Sequence, residues 1–250
     1  MKNSLSKLPI NEFFTTIQGE ATYTGTPSIF FRLQQCPVGC GFCDSKYTWH
    51  LDKQYETKDI NKIVDKKNLD HSKSEGNPTY MYMNELEILS LAIKSGVRHV
   101  VFTGGEPCMY DLTNVTRTLL QYRPSNLYDY FTVQIETSGT FEIRCDPNTW
   151  VTVSPKIGKT VQGGYKVRGD SYYRANELKY PVGKMADIES LKTVLNLHQG
   201  LYDRNKRNKN IPIWLQPLST SEKATELCVE QAILNDWRIS IQTHKFINAR

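Results

Sequence analysis

Three cysteines stand at C-x3-C-x2-C spacing in the stretch Cys36-Pro-Val-Gly-Cys40-Gly-Phe-Cys43. A loop this short can turn three thiols towards one point, and thiolates are favoured ligands of zinc and of iron–sulfur clusters. Ligand number separates the two. Structural zinc is closed by four protein ligands, and here only His50 stands near enough in sequence to complete such a set. A [4Fe–4S] cluster on three thiolates keeps one iron open for chemistry. Ordinary core cysteines are the third reading. Cys108, Cys145 and Cys228 are scattered along the chain, and small buried hydrophobes are their expected role.

The thiols follow a β-type run, Ser28 to Gln34, which places them just past a strand end. Further strands are expected at 99–103, 131–136, 150–153, 177–181 and 213–217, with a last one delivering Gln242-Thr-His-Lys245. Helices alternate with them. One is capped by Asn84, aligns Leu86, Leu89 and Ile93, and stops at Gly96. Others cover about 112–122 and 187–197, and a capping box Ser219-Thr-Ser-Glu222 opens one to about 234. Residues 52–78 read as a polar insertion with a helical turn near 60–64. Alternation of this kind argues for an α/β fold, a parallel sheet with helices outside, in one domain spanning 1–250. Strand ends carry the thiols, Gly104-Gly-Glu-Pro107, Glu136-Thr-Ser-Gly-Thr140, Ser154-Pro-Lys156, Gln216-Pro-Leu-Ser219 and Gln242-Thr-His-Lys245. Ligands bind at the carboxyl ends of parallel strands. Six such motifs exceed what turns alone require.

Composition narrows the partners. The chain has 250 residues, 39% hydrophobic and 23% charged, with a net charge of +5. The one basic cluster, Arg204-Asn-Lys-Arg-Asn-Lys209, is too local for a nucleic-acid face, and the surplus suits small anionic ligands. No stretch approaches the roughly 18 apolar residues of a membrane span. The first residues lack an apolar signal core and the thiols cluster as metal ligands do in a reducing compartment, so the expected location is cytoplasmic.

The thiol spacing resembles the signature of the radical S-adenosylmethionine (SAM) enzymes. Along nearly the whole chain the resemblance points to the 7-carboxy-7-deazaguanine synthase family among them. It is carried by Phe14-Thr-Thr-Ile-Gln-Gly-Glu20, Phe31-Arg-Leu33, Cys43-Asp-Ser45, Thr103-Gly-Gly-Glu-Pro107, Glu136-Thr-Ser-Gly-Thr140, Val153-Ser-Pro-Lys156, Glu177-Leu-Lys179, Leu215-Gln-Pro217 and Gln242-Thr-His-Lys245. The first and last are the most specific. The resemblance implies a modified, incomplete TIM-type (β/α) barrel and a lyase. Its substrate would be 6-carboxy-5,6,7,8-tetrahydropterin, converted to 7-carboxy-7-deazaguanine with loss of ammonia on the way to queuosine.

In that family one electron from the cluster cleaves SAM, and the resulting 5′-deoxyadenosyl radical abstracts hydrogen from the pterin. The resemblance therefore implies Cys36, Cys40 and Cys43 on a [4Fe–4S] cluster. Phe42, Asp44, Gly104, Gly105, Glu106, Ser138, Ser154, Pro155 and Lys156 would lie along SAM, with the glycines admitting its methionine part and Glu106 taking its ammonium. Ile17, Gln18, Gly19, Glu20, Arg32, Thr103, Glu136, Gln216, His244 and the terminal carboxylate of Arg250 would meet the pterin. Arg32 suits the substrate carboxylate through two parallel hydrogen bonds. Two departures stand out: Ala21 replaces a glycine, and Ser45 replaces the threonine that ligates Mg²⁺, leaving a hydroxyl. The implied partners are the small-molecule pterin and an electron donor such as flavodoxin, with no nucleic acid and no membrane. A homodimer stays open beside a monomer. Two rivals share some motifs: a glycyl-radical activase, which lacks the Gln-Gly-Glu and Thr-His-Lys segments, and a zinc-bound protein without catalysis.

Overall fold

The structure is a computed structural model describing residues 7–64, 77–123, 130–157, 163–198, 211–218, 221–247 and 249. Its strands are β1 (Leu8–Ile17), β2 (Pro27–Leu33), β3 (Met81–Met83), β4 (His99–Gly104), β5 (Thr132–Thr137), β6 (Trp150–Val153), β7 (Glu177–Val182), β8 (Ile213–Pro217) and β9 (Arg238–Ile239). They form one sheet in the order β3-β1-β2-β4-β5-β6-β7-β8-β9. From β2 through β9 every pairing is parallel. This is the incomplete TIM-type (β/α) arrangement. The expectation of a wholly parallel sheet needs correction, because β1 pairs antiparallel with β2 and with β3. Only nine residues, 18 to 26, separate β1 from β2, too few for a crossover of a dozen or more.

Side chains alternate along each strand, and the two faces of the sheet have different chemistry. Ile29, Phe31, Leu33, Val100, Phe102, Val133 and Ile135 form one apolar layer, packed under α1 (Glu85–Ser95) and α2 (Thr113–Gln121). Val151, Val153, Leu178, Tyr180, Val182, Ile213 and Leu215 form a second. It packs with α3 (Gly169–Arg174), α4 (Met185–Leu197) and α5 (Glu222–Asn235). Each fully buried Leu, Ile or Phe contributes roughly 1.5–3 kcal/mol, so these two layers hold the frame. The residues between them in sequence, including Arg32, Thr103, Gln134, Glu136, Thr152, Glu177, Lys179 and Gln216, fall on the opposite, inner face.

Asn84 caps α1 as expected, accepting from the Leu86 and Glu87 N–H groups while Glu87 accepts from the Asn84 N–H. The packed face of α1 is Ile88 and Ala92, however, and Leu86 is 56% exposed. The small Ala92 lets the helix lie close to the sheet, which rotates the apolar stripe. The cap of α5 is Ser221, accepting from the Ala224 N–H; Ser219 lies outside the described residues. The insertion does contain a 3-10 turn, Ile60–Lys62, yet the next residue, Ile63, is fully buried and accepts from the Phe13 N–H at 2.9 Å. Its first half is thus part of the core edge; residues 65–76 and the basic cluster 204–209 lie outside the described residues. The expected last strand is short. After Ile239 the chain forms α6 (Thr243–Phe246), because the Thr243 N–H donates to the Gly19 carbonyl at 3.0 Å instead of extending the sheet. No helix among the described residues is long and apolar enough to cross a membrane.

Candidate active site

Strand β2 delivers the thiol loop, and buried amides close its base. Gln34, fully buried, donates through Nε2 to the Tyr47 and His50 carbonyls at 3.0 and 2.7 Å and accepts from Asn11 Nδ2 at 2.7 Å. The Gln35 and Cys36 N–H groups donate to the Thr48 and Trp49 carbonyls. The three thiols hang between these clamps, Cys40 buried and Cys36 and Cys43 half-buried, all free. Burial pushes the Cys36 thiol up to about 12 and also raises Cys40, where Lys156 opposes the shift. A buried thiol of this kind ionises when a metal supplies the positive charge. Among the described residues no three His, Cys, Asp or Glu side chains converge on a single ion. In a four-iron cluster each thiolate takes its own iron, so no such convergence is required. Three thiols on one clamped loop are the donor set that such a cluster uses.

The end of β4 lies directly on this loop. The Gly105 and Glu106 N–H groups donate to the Leu33 and Gln35 carbonyls at 2.9 and 2.8 Å. Gly104 has φ +108, and a Cβ there would stand 2.6 Å from Leu33 N and 2.8 Å from Leu33 O; a Cβ on Gly105 would overlap the Gln35 carbonyl oxygen. The two glycines are therefore required by this chain's own backbone, whatever ligand they also admit. Glu106 is 1% exposed. Its Oε1 accepts from the Cys108 N–H and Thr137 Oγ1, and its Oε2 from the Ser138 N–H and hydroxyl. Four donors fill the carboxylate. In this structure Glu106 ties β4 to β5 beside the glycines expected along SAM, and Ser138 is held by Glu106 and by Thr140 Oγ1 at 2.9 Å.

Phe42, Pro155 and Lys156 line one cavity of about 280 Å³, completed by Tyr180, Gly183 and Leu218. Lys156 Nζ lies 5.6 Å from the Phe42 ring centroid and donates to Ser154 Oγ at 2.7 Å. Burial lowers the Lys156 pKa against the pull of Cys40, Glu106 and Glu20. Asp44 is exposed beside this region and accepts from Ser45 Oγ at 3.1 Å.

Most of the residues expected at the pterin meet on the inner face. Gln18 Nε2 donates to Gln134 Oε1 at 3.0 Å and Glu136 Oε1 at 3.2 Å, while its Oε1 accepts from the Glu20 N–H. Thr103 Oγ1 donates to Glu136 Oε2 at 2.9 Å. Lys179 Nζ pairs with Glu20 Oε2 and lies 3.6 Å from Glu136 Oε1. Gln242 and Gln216 donate to the other Glu20 oxygen at 2.8 and 3.4 Å, and the Gln216 Oε1 is buried without a partner among the described residues. Burial alone would raise the Glu20 pKa, but Lys179, Gln242 and His244 outweigh it and hold the carboxyl at about 2. His244 sits so close over Gly19 that a Cβ there would overlap its ring. Burial lowers the His244 pKa, partly offset by Glu20. Ile17 is the half-buried last residue of β1.

Arg32 stands apart from this group. Its Nε donates to Glu12 Oε1 at 2.8 Å, and its side chain is 20% exposed. Burial opposes its charge, but Tyr47, Glu12 and Asp44 more than restore it. Arg250 lies outside the described residues. Sequence reading assigned no role to Lys179, Gln242, Gln134 or Glu177. The signal for two of them was the Glu-x-Lys pattern in β7, which puts both charges on one strand face.

No protein-family model matches the chain. It is 44% identical over 242 residues to the 7-carboxy-7-deazaguanine synthase of Escherichia coli (strain K12), covering 96% of this chain and 98% of that protein. It is 42% identical to the protein of that name from Buchnera aphidicola subsp. Schizaphis graminum, covering 97% and 99%. The crystal structure of QueE from Escherichia coli superposes with a TM-score of 0.78 at 42% identity, covering 94% of each chain.

Proposed function

Because this chain belongs to the 7-carboxy-7-deazaguanine synthase family of radical SAM enzymes, we propose how its residues divide that chemistry. The enzyme is a carbon–nitrogen lyase that converts 6-carboxy-5,6,7,8-tetrahydropterin to 7-carboxy-7-deazaguanine with loss of ammonia, a step towards queuosine. When bound, the [4Fe–4S] cluster and SAM supply the radical chemistry. The chain's own residues bind, orient and exclude water.

Cys36, Cys40 and Cys43 would hold the cluster. Phe42, Pro155 and Lys156 would line the nucleoside part of SAM, and Gly104, Gly105 and Ser138 its methionine part. One observation carries the pterin assignment: the inner face is rich in acceptors. Glu20 and Glu136 stand beside the unpartnered Gln216 Oε1, and a guanine-like edge offers adjacent N–H donors to meet them. Arg32, with its terminal amino groups beyond the Glu12 contact, would take the pterin carboxylate. Thr103 and Gln18 orient Glu136, and His244 closes the Gly19 side. Ser45 is buried, and its oxygen would contribute to Mg²⁺ alongside substrate and water. A one-electron donor such as flavodoxin would reduce the cluster, and we read the chain as a single domain.

The test is anaerobic incubation of cluster-loaded, reduced protein with SAM and the carboxy-tetrahydropterin. A deazaguanine product with ammonia release is expected. SAM cleavage with an unchanged pterin would instead favour a different radical SAM substrate, such as a partner protein.

A further inference from the structure

Lys179 is a buried cation that the binding roles above leave unused. It is 7% exposed on the inner face of β7, and the described groups facing it come from every neighbouring element. They are Glu20 after β1, Glu136 on β5, Glu177 on its own strand, Lys156 after β6, and His244 on α6. The three carboxylates are not equivalent. Both Glu177 oxygens are taken, by Thr152 Oγ1 at 2.6 Å and by the Thr22 hydroxyl and N–H. Glu20 gives one oxygen to Lys179 and the other to Gln242 and Gln216. Glu136 alone meets Lys179 at the longer separation of 3.6 Å, with its remaining contacts from Gln18 and Thr103.

We propose that Lys179 is the positioning residue of the pterin site: it holds Glu20 as its counter-ion, which leaves the Glu136 oxygens turned towards the substrate's N–H edge. The argument rests on the pterin reading above. Burial favours the neutral form of a carboxylate and an adjacent cation favours the charged, acceptor-only form, and Lys179 is the cation that contacts Glu20. Without Lys179, Glu20 stays buried but loses its counter-ion, so burial favours its protonated form. The site would then present a hydroxyl donor where the pterin needs an acceptor. With Lys179 in place the acceptor pattern is fixed, and Gln216 keeps its Oε1 free because its Nε2 points to Glu20. The pocket is thereby selective for a ligand with two adjacent donors.

The experiment uses full-length, cluster-loaded enzyme and measures KM and kcat for the carboxy-tetrahydropterin across pH. Pterin affinity comes from fluorescence titration without reductant, and uncoupled SAM cleavage serves as the reference. Lys179→Met should raise Kd and KM by at least about thirtyfold near neutral pH, as loss of one partner of a buried charge pair does, with a smaller effect on kcat. The defect should shrink as pH rises and Glu20 loses its proton. Lys179→Arg should recover most of the affinity. If Lys179→Met fails to fold, Lys179→Gln, which keeps a donor for Glu20 but no charge, takes its place and should show the same KM-dominated, pH-dependent defect. Unchanged KM in the Met or Gln variant, a kcat-only defect, or failure of both variants to fold, which would make Lys179 structural, would overturn the proposal. A wild type that leaves the pterin untouched would instead overturn the substrate reading itself.

Discussion

The backbone nitrogen of Glu106 donates to the carbonyl of Gln35 at 2.8 Å, joining the end of β4 to the residue before the first thiol. Gln35 holds φ +84, a conformation that costs a non-glycine residue on the order of 1–3 kcal/mol. Thr48, Glu106 and the Tyr110 hydroxyl keep it there. Gly105 leaves the room that this joint needs. Gly105→Ala should push the thiol loop off β4 and lower iron content per protein several-fold while helical content stays near wild type. Iron analysis of anaerobically purified protein checks this, and a normal iron load would show that the joint tolerates a side chain.

The thiol loop makes a sharper division among the six cysteines. Changing Cys36, Cys40 or Cys43 to Ala should abolish the iron–sulfur absorbance and SAM cleavage. Cys108→Ala, Cys145→Ala and Cys228→Ala should leave both in place. Ser45→Ala should retain the cluster but respond less to added Mg²⁺. A Ser45→Ala enzyme with wild-type magnesium dependence would remove Ser45 from the metal site.

Glu106 accepts four hydrogen bonds inside the protein, which predicts a stability role. Glu106→Gln places an amide N–H₂ against the donors that surrounded the carboxylate and should destabilise the fold by about 2–4 kcal/mol. Urea unfolding gives the number. Full stability combined with lost SAM binding would mean that the carboxylate serves SAM directly.

The pH dependence of stability follows from Glu20. Its pKa drops from an ordinary 4.5 to about 2 on folding. A lowered folded-state pKa stabilises the protein above the unfolded value, and that contribution is lost as pH falls from about 5 towards 2. The shift corresponds to on the order of 3 kcal/mol. Glu20→Gln should be less stable than wild type at neutral pH, and the gap should close as pH approaches 2. Parallel stability curves across that range would contradict the ion pair with Lys179.

The parallel strands were legible because they are short apolar runs that end in glycine or polar motifs, as in His99-Val-Val-Phe-Thr103 before Gly104. The antiparallel β1 was not, since Ile10 to Glu20 mixes apolar and polar residues without naming a partner. Thr243 to Phe246 read as a strand end because the sequence does not reveal that Gly19 offers the Thr243 N–H an acceptor. Within the site, residue types pointed to Glu20, Glu136 and Gln216. What they could not express was competition: Glu106 and Glu20 are both carboxylates at the site, yet one is filled by its own chain and the other is bound to Lys179. That outcome depends on which strands lie side by side, and a charged residue in β7 meets its partners only once the sheet has formed.

The most direct test of the whole account follows hydrogen from the pterin to SAM. Reduced enzyme is given SAM and carboxy-tetrahydropterin deuterated at its ring carbons, and the 5′-deoxyadenosine formed is analysed by mass spectrometry. The account predicts deuterium in the 5′-deoxyadenosine together with 7-carboxy-7-deazaguanine, and neither from Cys40→Ala. Unlabelled 5′-deoxyadenosine with the pterin recovered intact would contradict it.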